Sequence, residues 1–344
     1  MSIFRRKPSE SDRIAAFWTW WSEEGATFCA DALAGRDVER IVPVLGPRVD
    51  RLHDDLAWEL VAGTVSEHAL VVSAEGTPEL RALARRWLLA APPATETWSY
   101  SDVRPPLPDP DDASIGLDGG LPLALRDVTV AARRVGTRLD VTVHHPSFAD
   151  APAEARLRLA LLALDATIGQ TAVELWIGEI TPSELRPRDG FGLAPLRVFV
   201  ERMQSEYVDQ DGAPSWLLLR GEGPRGPVQA AVTVPLHPAV SPLLTHHVGV
   251  LVPYAQRDEE GLPTGTSLDG LRALDQRIAE LLGPDGRVVA HESAAGVRLL
   301  HVYADGATDA PARLRRERLE WAEGTAEVEV AADPGWDRVR HLST

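Results

Sequence analysis

The C-terminal part of the chain carries six regular segments in an order that few folds accommodate. Between Thr245 and Trp336 the pattern reads strand, helix, strand, strand, helix, strand. In the first segment Val248, Val250 and Val252 recur at the period of two that is typical of a strand. This order predicts a ferredoxin-like βαββαβ sandwich, in which one sheet carries two helices.

The helices of this predicted sandwich each lie between two strands, which places both on the same face of the sheet. In the first helix Leu271, Leu274 and Ile278 form an apolar side at helical spacing. We therefore expect the other face to be open to solvent, a partner or another domain. A predicted hairpin about residues 221–226 precedes the sandwich and could extend the sheet or cover that face.

The chain of 344 residues is long for a single core, and its first part predicts a second domain. Two hairpins there are each followed by a helix and a strand, a repeated ββαβ order. The fold class is α+β. We predict an N-terminal domain over residues 1–208, made of two ββαβ half-units, and a ferredoxin-like domain with its preceding hairpin over residues 209–344.

A cluster of aromatic residues, FWTWW at 17–21, lies in the first predicted helix. We interpret most of this cluster as core, because buried aromatic side chains contribute large apolar areas to a domain. Trp20 falls off the apolar side of the helix and is the predicted surface tryptophan.

Charge and composition disfavour several classes of partner. The chain has 51 acidic and 35 basic residues, a formal net charge of -16. Because nucleic acids and anionic membranes are bound through basic surfaces, we expect neither as a partner, and a protein partner is expected instead. Cys29 is the only cysteine and the N-terminus lacks an apolar signal-peptide core, so we expect a cytoplasmic location.

The sequence contains no G-x-S-x-G, H-E-x-x-H, G-x-G-x-x-G or C-x-x-C motif. We therefore predict no catalytic residue and no cofactor on motif grounds.

Histidines on three predicted strands are the main candidates for chemistry. If the strands alternate without interruption, these imidazoles share the open face with a tyrosine and a carboxylate of the last strand. Such a set could bind zinc or serve as general acid and base. Alternatively these are polar residues of a half-exposed sheet, or residues that lie under the Trp216 hairpin. A slip of one residue in the strand register would separate them. The set comprises His247, His291, His301, Tyr303 and either Glu327 or Glu329.

Short C-terminal motifs resemble a known family. The VPY segment, GLP before an amphipathic helix, LLHVYAD and the final DPGW are similar to the uncharacterised bacterial family called domain of unknown function 695. The N-terminal FWTWW, VVSAEG and AAP segments resemble the module that such proteins often carry ahead of it. The DPGW ending and the split βαβ order are also similar to RraB-type protein inhibitors of ribonuclease E. This resemblance implies a protein that regulates by binding, without catalysis of its own.

Two signatures within those motifs have a structural interpretation. One is a fixed turn before a helix, and the other is a buried aromatic residue that closes the sheet. The signatures are Gly261, Leu262 and Pro263 for the turn, and Asp333, Pro334 and Trp336 for the closing residue.

Together these observations favour a non-catalytic binding or regulatory module that acts on another protein, with Tyr303 and Trp20 as predicted contact residues. Two alternatives remain open. One is a metal-assisted hydrolase that uses the histidine cluster, and the other is a small-ligand sensor with a pocket between the domains.

Overall fold

The computed structural model describes residues 8–116, 123–210, 212–224, 226–317, 319 and 321–343. The first seven residues lie outside this range. They belong to the N-terminal segment in which we predict no signal peptide. The fold is α+β, as predicted. The chain divides into two compact units, Met1–Val200 and Glu201–Thr344, whereas the sequence placed the boundary after residue 208.

The first unit contains three groups of strands. Its elements are α1 (Glu10–Trp20), α2 (Ala26–Ala34), α3 (Val42–Asp50), β1 (Ala57–Ala62), β2 (His68–Ser73), α4 (Pro78–Leu89), β3 (Trp98–Ser101), β4 (Ser114–Ile115), β5 (Leu123–Ala124), β6 (Thr129–Val135), β7 (Arg138–His144), α5 (Ala153–Ile168), α6 (Gln170–Trp176) and β8 (Ile177–Ser183), and α7 (Leu193–Ser205) spans the boundary between units. The sheets are β1-β2-β3, β6-β7-β8 and the short ribbon β4-β5.

The two three-stranded sheets have the same topology. In each, the first two strands are antiparallel and the third is parallel to the second, with helix between them. This is the arrangement that a ββαβ order requires, because parallel neighbours need a crossover connection. The predicted repeat of two half-units is confirmed.

The aromatic cluster of α1 forms the core of the first half-unit, as predicted. Phe17, Trp18 and Trp21 are buried together with Trp87 of α4 and Trp98 of β3. The rings of Trp18 and Trp87 stack with centroids 4.7 Å apart. This packing holds α1 and α4 against each other.

Trp20 is not a surface residue, which corrects its predicted role as a contact. Only 7% of its surface is exposed. A π-helical turn over Trp21–Gly25 follows α1, and a Cβ atom at Gly25 would lie 2.8 Å from the Trp20 ring. The guanidinium of Arg48 lies over the ring, 4.6 Å from its centroid. The wide turn and this cation–π contact bury a side chain that helical spacing alone places outside.

The second unit is built on one six-stranded sheet. Its elements are β9 (Trp216–Gly223), β10 (Gly226–Thr233), β11 (His246–Pro253), α8 (Gly265–Leu282), β12 (Gly286–Ala294), β13 (Val297–Ala304), α9 (Ala310–Arg316), β14 (Glu327–Ala332) and a final 3-10 helix (Asp337–Leu342). The strand order is β14-β11-β13-β12-β10-β9. The strands of the predicted βαββαβ unit are neighbours in the order β14-β11-β13-β12, and the preceding hairpin extends the sheet beyond β12.

Both helices of this unit pack on one face of the sheet, as predicted. Val248, Val250 and Val302 point into a core that includes Leu274 of α8 and Leu314 of α9. Because opposite residues of paired strands share a face, the register of β11 with β13 fixes which side chains lie on the second face.

The second face is not open around β11 and β13, which corrects that expectation. The C-terminal segment, residues 333–343, folds back over it. The ring of Trp336 stacks on Tyr303 with centroids 4.3 Å apart, and its indole N–H donates to the carbonyl oxygen of Leu244 at 2.9 Å. Val339 and Leu342 of the 3-10 helix are also buried. An apolar side of this short helix therefore covers part of the sheet.

Replacement of Trp87 by Ala tests the aromatic core of the first unit. We expect the free energy of unfolding to fall by about 3–5 kcal/mol, because a fully buried indole is lost and a cavity remains. Denaturant unfolding followed by tryptophan fluorescence measures this loss. Val65→Ala, at an exposed valine, is the control and should cost less than about 0.5 kcal/mol. A loss at Trp87 as small as that of the control would contradict the packing described.

Candidate functional site

Two of the predicted histidines belong to a hydrogen-bonded chain under the C-terminal segment. His247 of β11 and His301 of β13 are joined by Nε2 and Nδ1 at 3.0 Å. Nε2 of His301 lies 2.9 Å from Oε1 of Glu292 on β12. The same oxygen lies 3.1 Å from Nε2 of His341 in the final 3-10 helix. The chain therefore ties three neighbouring strands to the C-terminal segment.

The proton positions in this chain follow from the chemistry of its members. Hydrogen bonds, first from His301, hold the pKa of Glu292 below its usual value, so the carboxylate acts only as an acceptor. Nε2 of His301 therefore donates its proton to the Glu292 carboxylate. When His301 is neutral, its Nδ1 accepts a hydrogen bond from the Nε2–H group of His247. Burial, with the positive charge that His301 and Arg338 can carry nearby, lowers the pKa of His247 to about 4. His247 is therefore neutral at physiological pH.

His291 lies apart from this chain, on the helix-bearing face of the sheet. Val288 of β12 pairs with Val302, but the next pair joins Ala290 to His301, so one extra residue bulges from the strand. A bulge reverses the alternation that follows it, and His291 consequently pairs with Leu300. Its imidazole stacks on the ring of Trp216, with centroids 5.9 Å apart. The expectation that all three histidines share a face is therefore corrected.

The carboxylates of the last strand do not complete a metal site. Glu327 is exposed and pairs with Leu251, whereas Glu329 forms an ion pair with Arg338 at 3.1 Å. Within the described ranges no group of three His, Cys, Asp or Glu side chains is arranged to hold a metal ion. The imidazoles of His247 and His301 are buried, so this arrangement gives a ligand no direct access to them.

Tyr303 is buried as well, so it is not the exposed contact residue that we predicted. None of its surface is exposed. Its hydroxyl donates to Oδ2 of Asp333 at 2.6 Å, and Asp333 also accepts the backbone N–H groups of Asp337 and Arg338. Burial, followed by this hydrogen bond, raises the pKa of the Tyr303 phenol. Tyr303 and Asp333 together fix the start of the 3-10 helix, which follows Pro334 and Trp336 in the sequence.

The Gly261-Leu262-Pro263 signature forms the turn before α8. Gly261 has φ +81°, and its carbonyl oxygen accepts the hydroxyl of Tyr254 at 2.7 Å. The backbone N–H of Leu262 donates to Oδ1 of Asp258 at 2.8 Å. A side chain at position 261 would meet Ala295 at 3.2 Å, so close packing and backbone conformation both favour glycine there.

The most unusual surface of the second unit is strand β9, which the sequence did not single out. Trp216 is 49% exposed and Leu218 is 57% exposed, and they alternate with the half-buried Leu217 and Leu219. A strand with one solvated face normally presents polar residues on that face. The exposed face of β9 instead begins with two large apolar residues, Trp216 and Leu218. The charged residues Arg220 and Glu222 follow them on the same face.

β9 is also the edge of its sheet. In the part of the chain that the structure describes, β10 is the only strand that pairs with it. Exposed edge strands invite pairing with another chain, and proteins usually protect them with charge, proline or a covering element. Val208, half exposed and bridged to Pro214 just before β9, adds to the apolar surface. We call Val208, Trp216, Leu218 and the outer backbone of β9 the edge surface.

The sequence contained a weak signal for this surface. The run WLLL at 216–219 is continuously apolar, which is typical of a strand buried on both faces. Only the position of the hairpin at the rim of the sheet shows that one side of this run faces solvent. Periodicity could not supply that position.

Comparison with known proteins gives no further assignment. A scan against protein-family models, a search of curated proteins and a search of solved structures each found no match. Within the described part of the chain no single helix is long and apolar enough to span a membrane, although the bent pair α5 and α6 meets that test by length and composition.

His247→Gln tests the protonation state of the buried chain. The unfolded histidine gains a proton near pH 6.5, whereas the folded one does so only near pH 4. The wild type should therefore lose up to about 3 kcal/mol of stability relative to the variant as the pH falls through that window. Urea unfolding of both proteins at several pH values measures the difference. Other titrating groups are common to the two proteins, so parallel stability curves would contradict the assignment.

Proposed function

We propose that this protein is a non-catalytic binding module that engages another protein through the edge surface. The observation that carries the proposal is the pair of half-exposed apolar side chains, Trp216 and Leu218, on an edge strand. Monomeric proteins rarely leave such residues together on an exposed edge strand, and apolar surface of this kind marks sites of interaction.

The physical mode is addition of a strand. An extended segment of the partner would lie along β9 and hydrogen bond to its outer N–H and carbonyl groups. Main-chain hydrogen bonds supply affinity in this mode, and alternate side chains supply specificity. The indole of Trp216 and the side chain of Leu218 would lose contact with water, which contributes about 25 cal/mol for each Å² of apolar surface buried.

Other features support binding rather than catalysis. The histidines that could act as acid or base lie beneath the C-terminal segment. Cys29 is buried, and burial raises the pKa of its thiol to about 11, which disfavours the nucleophilic thiolate. The resemblance to regulatory proteins of the RraB type points the same way. A cytoplasmic location is part of the proposal, and the single cysteine supports it.

The double variant Trp216→Thr/Leu218→Thr tests the edge surface. Threonine keeps the strand propensity but removes the apolar contact. We expect proteins captured from the native host by the full-length wild type to be lost with this variant. Leu185→Thr, which makes the same change at an exposed leucine elsewhere, is the matched control and should retain them. Amide hydrogen exchange with the purified partner should then show new protection along β9.

Two results would overturn the proposal. One is capture of the same proteins by the wild type and the double variant, provided that circular dichroism shows both to be folded. The other is a self-associated chain that dissociates to a monomer in the double variant, measured by light scattering. That result would assign the edge surface to a second copy rather than to another protein.

A further inference from the structure

We infer that the segment which pairs with β9 carries a lysine or arginine beyond its apolar residues, held in a groove at the far end of the strand. This inference rests on the proposed function and deepens it, because it specifies the chemistry of the partner. It is carried by a groove that is lined by Arg220 and Glu222, the two charged residues of β9 that follow Trp216 and Leu218.

The groove has a volume of about 320 Å³ and lies where the β9-β10 hairpin meets the turn before α8. Among the described residues its charged lining consists of Arg220, Glu222 and Glu260, and its apolar lining includes Pro227 and Leu262. Arg220 and Glu222 belong to β9 itself, so a segment that follows the strand past Leu218 reaches the groove directly.

The lining matches a long basic side chain. Two carboxylates and one guanidinium leave a net negative charge, which favours a cation. Pro227 of β10 pairs with Glu222 and therefore lies on the same face. It can pack against the aliphatic stem of a lysine or arginine while the charged head of that side chain stays near the carboxylates. The net charge of -16 adds long-range attraction for a basic segment, which favours its approach at low ionic strength.

The neighbouring acidic residues do not play the same part. Oδ1 of Asp258 already accepts the backbone N–H groups of Glu260 and Leu262 within the turn. Glu259 is exposed and does not line the groove. Its carboxylate therefore provides a matched control for that of Glu260.

The spacing along β9 makes the inference specific. The strand pairs with β10 without interruption from Trp216 to Gly223, so Trp216, Leu218, Arg220 and Glu222 lie on one face. Leu218 and Glu222 are four positions apart, about 13 Å along a strand. The partner segment should therefore carry two apolar residues two positions apart, opposite Trp216 and Leu218. A basic residue should lie four positions beyond the apolar residue that faces Leu218. A polar or acidic residue is favoured between them, opposite Arg220.

Selection from a displayed library of random peptides against the immobilised full chain tests this pattern. Enriched peptides should share the apolar and basic spacing, in either chain direction. Binding of an enriched, fluorescently labelled peptide is then measured by polarisation with wild type, Glu222→Gln/Glu260→Gln and Glu259→Gln. We expect about threefold to tenfold weaker binding to the double variant, since each exposed charge pair contributes modestly, and no change with Glu259→Gln.

The outcomes separate this inference from the proposed function. One outcome is that a peptide fails to bind Trp216→Thr/Leu218→Thr but binds wild type and Glu222→Gln/Glu260→Gln equally. That result overturns the inference of a basic residue and leaves the proposed edge surface intact. Peptides that bind independently of Trp216 and Leu218, or a failure of any peptide to be enriched, overturn both. Loss of binding in the two double variants, with Glu259→Gln unchanged, supports both.

Discussion

The second unit depends on the backbone pairing of β10 with β12. Four residue pairs, from Gln229 with Ser293 to Val232 with Ala290, attach the hairpin to the four strands β11 to β14. Without them β12 would be an edge strand, and its backbone groups would need another partner. The pairing satisfies β12 and transfers the unpaired edge to β9, which is the strand with the exposed tryptophan and leucine.

The C-terminal segment limits how the rest of this sheet can interact. Helices α8 and α9 cover one face, and the segment after β14 covers the other around Tyr303. The chain through His247, His301, Glu292 and His341 holds that cover in place with hydrogen bonds rather than presenting reactive groups. The partner that we propose would therefore bind at the rim of the sheet, where backbone groups remain available, rather than on the second face.

Most of the secondary structure could be predicted because it depends on local patterns. Alternating valines gave β11, leucines at helical spacing gave α8, and the repeated ββαβ order was visible in the N-terminal part. Two of the failures involve contacts between distant residues: Arg48 helps to bury Trp20, and the return of Trp336 to the sheet buries Tyr303. No short window of sequence contains both members of these contacts. The other failures come from local irregularities, which regular periodicity does not reveal: a π-helical turn after Trp20, and a bulge at Val289 that turns His291 to the other face.

Hydrogen exchange at the amides of Leu217–Glu222 in the full-length protein tests the central claim most directly. If β9 is paired on one side only, the amides that point toward β10 should exchange slowly and the alternate, outward amides rapidly. Nuclear magnetic resonance can resolve this alternation residue by residue. Uniform protection would mean that the edge is already covered, and uniformly rapid exchange would mean that the hairpin is not held in the sheet. Either result would contradict the account.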